Sequence, residues 1–372
     1  MTTIRSAICV RCPPRWLLLR VETDDGEIGW GEAIGDLHDE VEQALTAIGE
    51  RVEGSSIHDI TRTIETQRKT RFWRDGPVLD TALSALEMAL WDLKGKEFGA
   101  PIHELLGGRV RERVRAYRNL WGNTPEEFAN SAREAMSQSM TAVKVSPAGP
   151  TPDVASRAAL NGMVDVVRAV RDAVGPNVDL AVDLHGRLTP AASRRAVHAL
   201  APLDPFFIEE PCLPDGSASH LADLRALRTA QPVAIATGER LRSTHAFAQH
   251  LLPSPVVDII QPDVSMVGGI RPSVEIGAMA SAAQVSMAPH CPYGPIQFAA
   301  SMQVAAASPA HLIQEFQSLG GAGSGGGTPG GGQNWAFDLI AQPFTIEAGH
   351  VGVPTGPGLG IEVLEERIEE HM

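Results

Sequence analysis

Seven ionisable residues recur at the ends of short apolar runs: Lys144, Asp183, Glu209, Glu239, Asp263, His290 and Glu315. The steps between them are 39, 26, 30, 24, 27 and 25 residues, each close to the length of one strand plus one helix. Groups held at one phase of such a repeat project to one rim of a barrel. A single carboxylate among them would read as a solvated group at a loop start, but Asp183, Glu209 and Glu239 close three successive runs. Three converging carboxylates repel one another unless a cation sits among them. Oxygen-only ligation with open positions suits Mg²⁺ better than Zn²⁺, which recruits His or Cys. His290 has Asp263 one run away. A carboxylate that accepts from one ring nitrogen fixes the tautomer and makes the other nitrogen more basic, as a general base requires. His185 lies two residues past Asp183, and along an extended strand such positions share a face. Removing a proton alpha to a carboxylate creates an enediolate. A divalent cation, a lysine and a protonated glutamate can stabilise that charge, and Lys144 and Glu315 are the candidates. A second acid across the cavity would then let the intermediate expel a β-hydroxyl, which is dehydration.

The elements that must position these groups are eight apolar runs, at 114–117, 141–145, 178–184, 206–210, 233–238, 256–261, 284–288 and 312–316. Stretches with helical spacing, such as 158–174 and 243–252, separate most of them. Runs and crossovers in alternation predict a closed (β/α) barrel, although a doubly wound open sheet shares the pattern. Upstream, 4–11, 16–22 and 27–32 read as strands, with Asp24-Asp25-Gly26 as a hairpin turn. Helical patterns follow at about 39–52, 57–70 and 78–96. In the last, Leu79, Leu83, Leu86, Leu90 and Leu93 make one apolar face. The chain thus divides into an α+β domain over 1–112 and a barrel over 113–339, with about 340–372 returning to complete the first domain.

Composition narrows the function. With 31 Lys+Arg against 45 Asp+Glu the net charge is −14, and no basic stripe offsets it, so nucleic acid and acidic membrane surfaces are poor partners. At 43% hydrophobic residues the 372-residue chain can bury a large core, yet no run approaches the roughly 18 apolar residues of a membrane helix. The first sixteen residues carry Arg5, Arg11 and Arg15 without an apolar run, unlike a secretory signal, so a cytoplasmic protein is expected. Cys9 and Cys12 have CxxC spacing without a second pair, which reads as two residues of a strand. Nine of the thirteen residues at 320–332 are glycine. A GxGxxG match at Gly321, Gly323 and Gly326 lacks the strand and helix that a nucleotide fingerprint needs, so a surface loop is expected.

Longer motifs carry a resemblance over nearly the whole chain. They include Pro13-Pro14-Arg15-Trp16, Gly29-Trp30-Gly31-Glu32, Ala89-Leu90-Trp91-Asp92-Leu93-Lys94-Gly95-Lys96, Asp183-Leu184-His185-Gly186-Arg187 and Phe207-Ile208-Glu209-Glu210-Pro211. Further along stand Gly238-Glu239-Arg240, Gln261-Pro262-Asp263, Gly268-Gly269-Ile270, Ala288-Pro289-His290-Cys291-Pro292 and Gln314-Glu315. The chain resembles the enolase superfamily, mandelate racemase subgroup, and within it the acid-sugar dehydratases of the D-galactonate dehydratase kind. That resemblance implies a modified TIM barrel, (β/α)7β, with an N-terminal α+β capping domain. It implies one Mg²⁺ on Asp183, Glu209 and Glu239, with the His290–Asp263 pair as base at C2 of a small sugar acid. His185 would be the acid that releases the 3-hydroxyl, Lys144 and Glu315 would hold the carboxylate end, and the product would be a 2-keto-3-deoxy acid. Cap loops around 14–16 and 34–38 would close on the sugar tail, with Trp16, Arg187 and Ser146 contacting substrate. A homo-oligomer is also implied.

Two departures qualify the likeness. Racemases of the subgroup carry Lys-x-Lys where this chain has Lys144-Val145-Ser146. Losing the second lysine removes one of two opposed bases, and the related dehydratases usually have an amide there. The glycine-rich stretch after Glu315 also departs, close to the expected rim. Two other readings stay open: a racemase or epimerase using His290 and His185, and a catalytically silent homologue that binds a sugar acid or a protein.

Overall fold

Period-two alternation builds the first layer. In the computed structural model, which describes residues 2–12, 16–149, 155–214, 217–230, 232–316 and 339–371, strands β1 (Ile4–Cys12), β2 (Trp16–Thr23) and β3 (Ile28–Ala33) pair antiparallel in that order. Gly26 turns the β2–β3 hairpin at φ +91°. Along β2, Leu17, Leu19 and Val21 pack with the cap helices α1 (His38–Val52), α2 (Ile60–Lys69) and α3 (Pro77–Glu97), whereas Trp16 and Leu18 join the barrel-side core. Along β3, a Cβ at Gly29 or Gly31 would strike the carbonyl oxygens of Ala89 and Ala85, so only glycine lets the strand lie this close to α3. Trp30 joins the barrel-side core. Cys9 and Cys12 both lie on β1, and burial pushes each thiol up to about 12.

Helix α3 differs from the single apolar face its leucines predict. It is wedged between the antiparallel sheet and the barrel, so its polar side is buried too, including Asp80, Ser84, Glu87 and Asp92. That side is spent on backbone donors of neighbouring segments. Ser84 Oγ accepts the Gly268 N–H at 2.9 Å, and Glu87 accepts those of Ile270 at 2.6 Å and Arg271 at 3.0 Å. Asp92 accepts from Trp30 at 3.1 Å and from Leu359 at 2.9 Å. A buried carboxylate surrounded by aligned N–H groups replaces its lost water.

After the short α4 (Ile102–Leu105) the alternating pattern takes over. The strands are β4 (Arg113–Asn119), β5 (Ala142–Val145), β6 (Asp179–Asp183), β7 (Ile208–Glu209), β8 (Ile235–Thr237), β9 (Ile259–Ile260), β10 (Ser286–Met287) and β11 (Gln314–Phe316). Between them run α5 (Pro125–Ser137), α6 (Arg157–Val174), α7 (Pro190–Leu200), α8 (Ala218–Ala230), α9 (Thr244–Leu251), α10 (Ile270–Ala282) and α11 (Pro295–Ala307). Thr124, Ser156, Thr189 and Ser243 start four of these helices by accepting a backbone N–H three residues on. All eight strands are parallel and follow chain order from β4 to β10, with β11 beside β4. A parallel bridge between Met287 and His311 joins the remaining edges, so the sheet closes as a (β/α)7β barrel and the open-sheet alternative falls away. β12 (His350–Gly352) adds antiparallel to β4, and beyond it Glu365 pairs with Arg20 of the cap sheet at 2.8 Å. The Pro13–Arg15 motif and the glycine-rich 320–332 lie outside the described residues. Among those described, no helix is long and apolar enough to cross a membrane.

Candidate active site

The barrel places the recurring ionisable residues on one rim. Lys144 lies on β5, Asp183 and Glu209 end β6 and β7, and Glu239, Asp263 and His290 follow β8, β9 and β10 within three residues. Glu315 lies on β11. A cavity of ≈ 860 Å³ opens above them, and Ile34, Asp36, Leu37 and Pro77 of the cap form its far wall. Lys144, Ser146, Asp183, His185, Arg187, Glu239, Asp263, His290 and Glu315 all line it. Glu209 is sealed beneath the floor at 0% exposure.

Asp183, Glu209 and Glu239 each bring one carboxylate oxygen into a set lying within 4.8 Å of one another. Lys144 Nζ sits 3.0 and 2.9 Å from the two oxygens of Glu209 and 3.1 Å from Glu315, and Arg240 Nε lies 3.3 Å from Glu239, so the fixed cations stand at the edges of the trio. Burial, together with the charges of Asp183 and Glu239, pushes Glu209 up to about 8 despite Lys144. Burial also opposes the charge on Asp183, but His185 and Lys144 outweigh it and bring that carboxyl down to about 2. Three hard oxygen donors crowded within 4.8 Å of one another fit a small divalent cation.

The two histidines differ in how they are held. His290 Nδ1 is 2.7 Å from Asp263 Oδ2, and its Nε2 lies 3.6 Å from Glu239 Oε2. Burial works against a charged imidazole, but Asp263 and the charges of Glu239 and Glu315 override it and raise His290 to about 10. His185 Nδ1 lies 2.9 Å from Asp183 Oδ2, an ion-pair contact without an aligned hydrogen bond. Its route into the cavity is not the one that an extended strand predicts. β6 stops at Asp183 and His185 takes a left-handed φ of +55°, with its N–H donated to Asp183 Oδ1 at 2.7 Å. The turn, rather than strand alternation, brings the ring beside Asp183.

Two of the expected site residues are held in ways that their spacing does not show. Glu315 meets donors with both of its oxygens. Its Oε1 accepts from Asn119 Nδ2 at 2.7 Å and its Oε2 accepts the Cys291 N–H at 2.6 Å. Lys144 and His290 overcome the cost of burial and hold it below the ordinary carboxylate range. Trp16 does not line the cavity. It opens β2 with its ring in the barrel-side core at 6% exposure, where strand alternation sends it. Ser146 Oγ donates to Asp183 Oδ2 at 3.3 Å, and Arg187 Nη1 donates to the Ala148 carbonyl.

The recurrence did not disclose Asn119, which sits one strand before the first counted residue, although its place at the end of β4 continues the same phase. Nor did it disclose Glu210. That carboxylate is fully buried, accepts from the Thr237 hydroxyl and the Gly238 N–H, and ties β7 to the strand before Glu239.

Comparison with known proteins finds relatives along nearly the whole chain. Residues 3–107 match the mandelate racemase / muconate lactonizing enzyme N-terminal domain, and residues 127–367 match the enolase C-terminal domain-like family. A D-galactonate dehydratase of Variovorax paradoxus is 36% identical over 96% of this chain and 91% of its own length. A D-gluconate dehydratase of Thermoproteus tenax is 35% identical over 96% of this chain and 70% of its own length. The crystal structure of a mandelate racemase/muconate lactonizing enzyme from a Sulfitobacter species superposes with a TM-score of 0.88 at 30% identity, covering 100% of this chain and 96% of that one. The chain belongs to the mandelate racemase/muconate lactonizing enzyme family of the enolase superfamily.

Proposed function

We propose that the protein is a Mg²⁺-dependent hydro-lyase that converts a sugar acid, with D-galactonate the first candidate, to a 2-keto-3-deoxy acid. The observation that carries this reading is the placement of two histidines at opposite ends of one carboxylate trio, His185 against Asp183 and His290 against Glu239. The relatives' names favour aldonates as the substrate class.

The roles follow from the contacts. The acids that raise His290 include Glu239, so a cation on the trio would offset part of that charge and let the ring be neutral. Its Nε2 would then take the C2 proton while Nδ1 stays bonded to Asp263, which keeps the ring in one tautomer and stabilises the imidazolium. Lys144, locked between Glu209 and Glu315 and held well above its ordinary value by them despite burial, cannot serve as a base. It supplies a fixed positive charge for the substrate carboxylate. That removes the lysine route to racemisation. Mg²⁺ held by Asp183, Glu209 and Glu239 would supply positive charge as the enediolate forms. His185 is raised above its ordinary value because Asp183 outweighs the cost of burial, so it can arrive protonated and release the 3-hydroxyl as water. The cap residues Ile34, Asp36, Leu37 and Pro77 shut the cavity over the sugar tail.

A panel of aldonic and aldaric acids, each incubated with enzyme and Mg²⁺, tests the proposal by keto-acid formation. D-Galactonate or a close epimer is expected to turn over. No product across the panel would remove the dehydratase reading, and deuterium at C2 of recovered substrate without keto acid would replace it with an epimerase.

A further inference from the structure

We propose that Glu32, a residue of the capping domain, is a positioning residue for the His290–Asp263 pair, so that docking of the cap sets the base in the barrel. The inference rests on the dehydratase reading for its kinetic consequence, and on contacts alone for the positioning itself.

Asp263 has two oxygens to account for. Oδ2 meets His290. Oδ1 accepts from Gln297 Nε2 at 2.8 Å and from the Ser265 N–H at 2.7 Å. Both of those donors are tethered to Glu32. Its Oε2 accepts the Gln297 N–H at 2.9 Å, and its backbone carbonyl accepts the Ser265 hydroxyl at 3.0 Å. Its Oε1 accepts the Gly294 N–H at 2.6 Å, and a Cβ at Gly294 would lie only 2.6 Å from that oxygen. Glu32, Asp263, Ser265 and Gln297 are each 0% exposed, so no water can stand in for a lost partner.

The carboxyl group therefore sits against the N-terminus of α11, four residues past the base, where two backbone donors and the helix dipole offset part of the burial that pushes it up to about 7. An amide cannot replace it. Glu32→Gln keeps one acceptor oxygen and turns an NH₂ group toward the second N–H. Either Gly294 or Gln297 must then move, and Gln297 carries its side chain to Asp263.

Glu87 provides an internal control. It too is a buried cap carboxylate against the start of a barrel helix, α10, and its donors are the N–H groups of Ile270 and Arg271 and the Trp91 indole. None of these three touches Asp263 or His290. The two carboxylates share burial and chemistry and differ in what lies behind their donors.

The experiment compares Glu32→Gln, Gln297→Met and Glu87→Gln in the full-length enzyme with Mg²⁺ and a turned-over aldonate. It reads kcat, KM and the low-field proton resonance of His290 Nδ1, assigned by its loss in His290→Asn. Glu32→Gln and Gln297→Met are expected to lower kcat by about 10- to 100-fold, with KM within about twofold, and to shift or broaden the resonance. Glu87→Gln is expected to lower the melting temperature while kcat and the resonance stay as in wild type. Wild-type kcat and resonance in Glu32→Gln, or an equal loss in Glu87→Gln, would overturn the assignment. Gln297→Met cuts the link without touching the cap carboxylate and decides the matter if Glu32→Gln does not fold. Failure of the wild type to turn over any acid would remove the functional reading, and the resonance would still decide the positioning role.

Discussion

The barrel buries one histidine at its catalytic rim and another four residues upstream of Glu315 on the run that leads into β11, and their environments drive them in opposite directions. His290 is pushed up to about 10, whereas His311 is driven down to about 3. Burial acts on both in the same sense, against the charged ring. At the rim Asp263 lies 2.7 Å away with Glu239 and Glu315 nearby, and the acids prevail. Among the described residues no acid acts on His311. Arg111 is its charged neighbour, donating to its carbonyl at 3.3 Å, and neither of its ring nitrogens meets a partner among the described residues. Burial alone makes a histidine an inert core residue. Carboxylates placed on neighbouring strands make it a base.

The largest test of that contrast is His290→Asn. The amide keeps much of the polar volume but cannot take a proton, so C2 exchange and product formation are expected to fall by at least about 10³-fold. Full retention of exchange would move the base elsewhere. A smaller effect belongs to the other histidine and is read as stability. The unfolded chain protonates His311 near its ordinary value of 6.5, the folded chain only near 3. The stabilisation is thus complete above 6.5 and is lost as pH falls toward 3, by up to about 1.4 kcal/mol per unit. Denaturant titrations between about pH 4 and 7 should show a shallower acid-side loss in His311→Leu than in wild type. Equal slopes in both would mean that His311 is already charged in the fold.

The rim was legible in the sequence because its groups share a phase. Strand-plus-helix spacing carried Lys144, Asp183, Glu209, Glu239, Asp263, His290 and Glu315 to one end of the barrel without any knowledge of contacts. Contacts that bridge the two domains were not legible in this way. Glu32 and Gln297 are 265 residues apart, and nothing local in Gly29-Trp30-Gly31-Glu32 says what its carboxylate will accept. The polar side of α3 was hidden for the same reason. Ser84, Glu87 and Asp92 resemble a solvated face until a second domain packs on them. The apolar runs also overstated the strands, since 256–261 yields only Ile259–Ile260 as paired strand. In a barrel the ladder covers a few residues, and hydrophobic flanks continue into the core on either side.

The crowding of the rim's three carboxylates gives a third test, again through stability. Adding Mg²⁺ is expected to raise the melting temperature, and chelation to lower it. The stabilisation is about 2.7 kcal/mol once the ion reaches 100 times its dissociation constant. Asp183→Asn should weaken that response because it removes one ligand and leaves His185 Nδ1 without its carboxylate. An unchanged melting temperature across the Mg²⁺ series in the wild type would show that the trio does not hold the ion.

The smallest expected effect falls on Trp16, where a motif resemblance and the fold disagree. Its motif places it among the substrate contacts, whereas β2 directs the ring into the core shared with Leu18, Trp30 and Met88. Trp16→Phe removes buried volume without touching the cavity wall. It should cost about 1–2 kcal/mol of stability, with KM unchanged within about twofold. A raised KM with unaltered stability would mean that closure over a sugar acid draws the start of β2 out of the core and into contact with substrate. The capping sheet would then have to shift relative to α3, yet Gly29 and Gly31 press against that helix with no room for a Cβ. That close fit is why stability, rather than KM, is expected to respond.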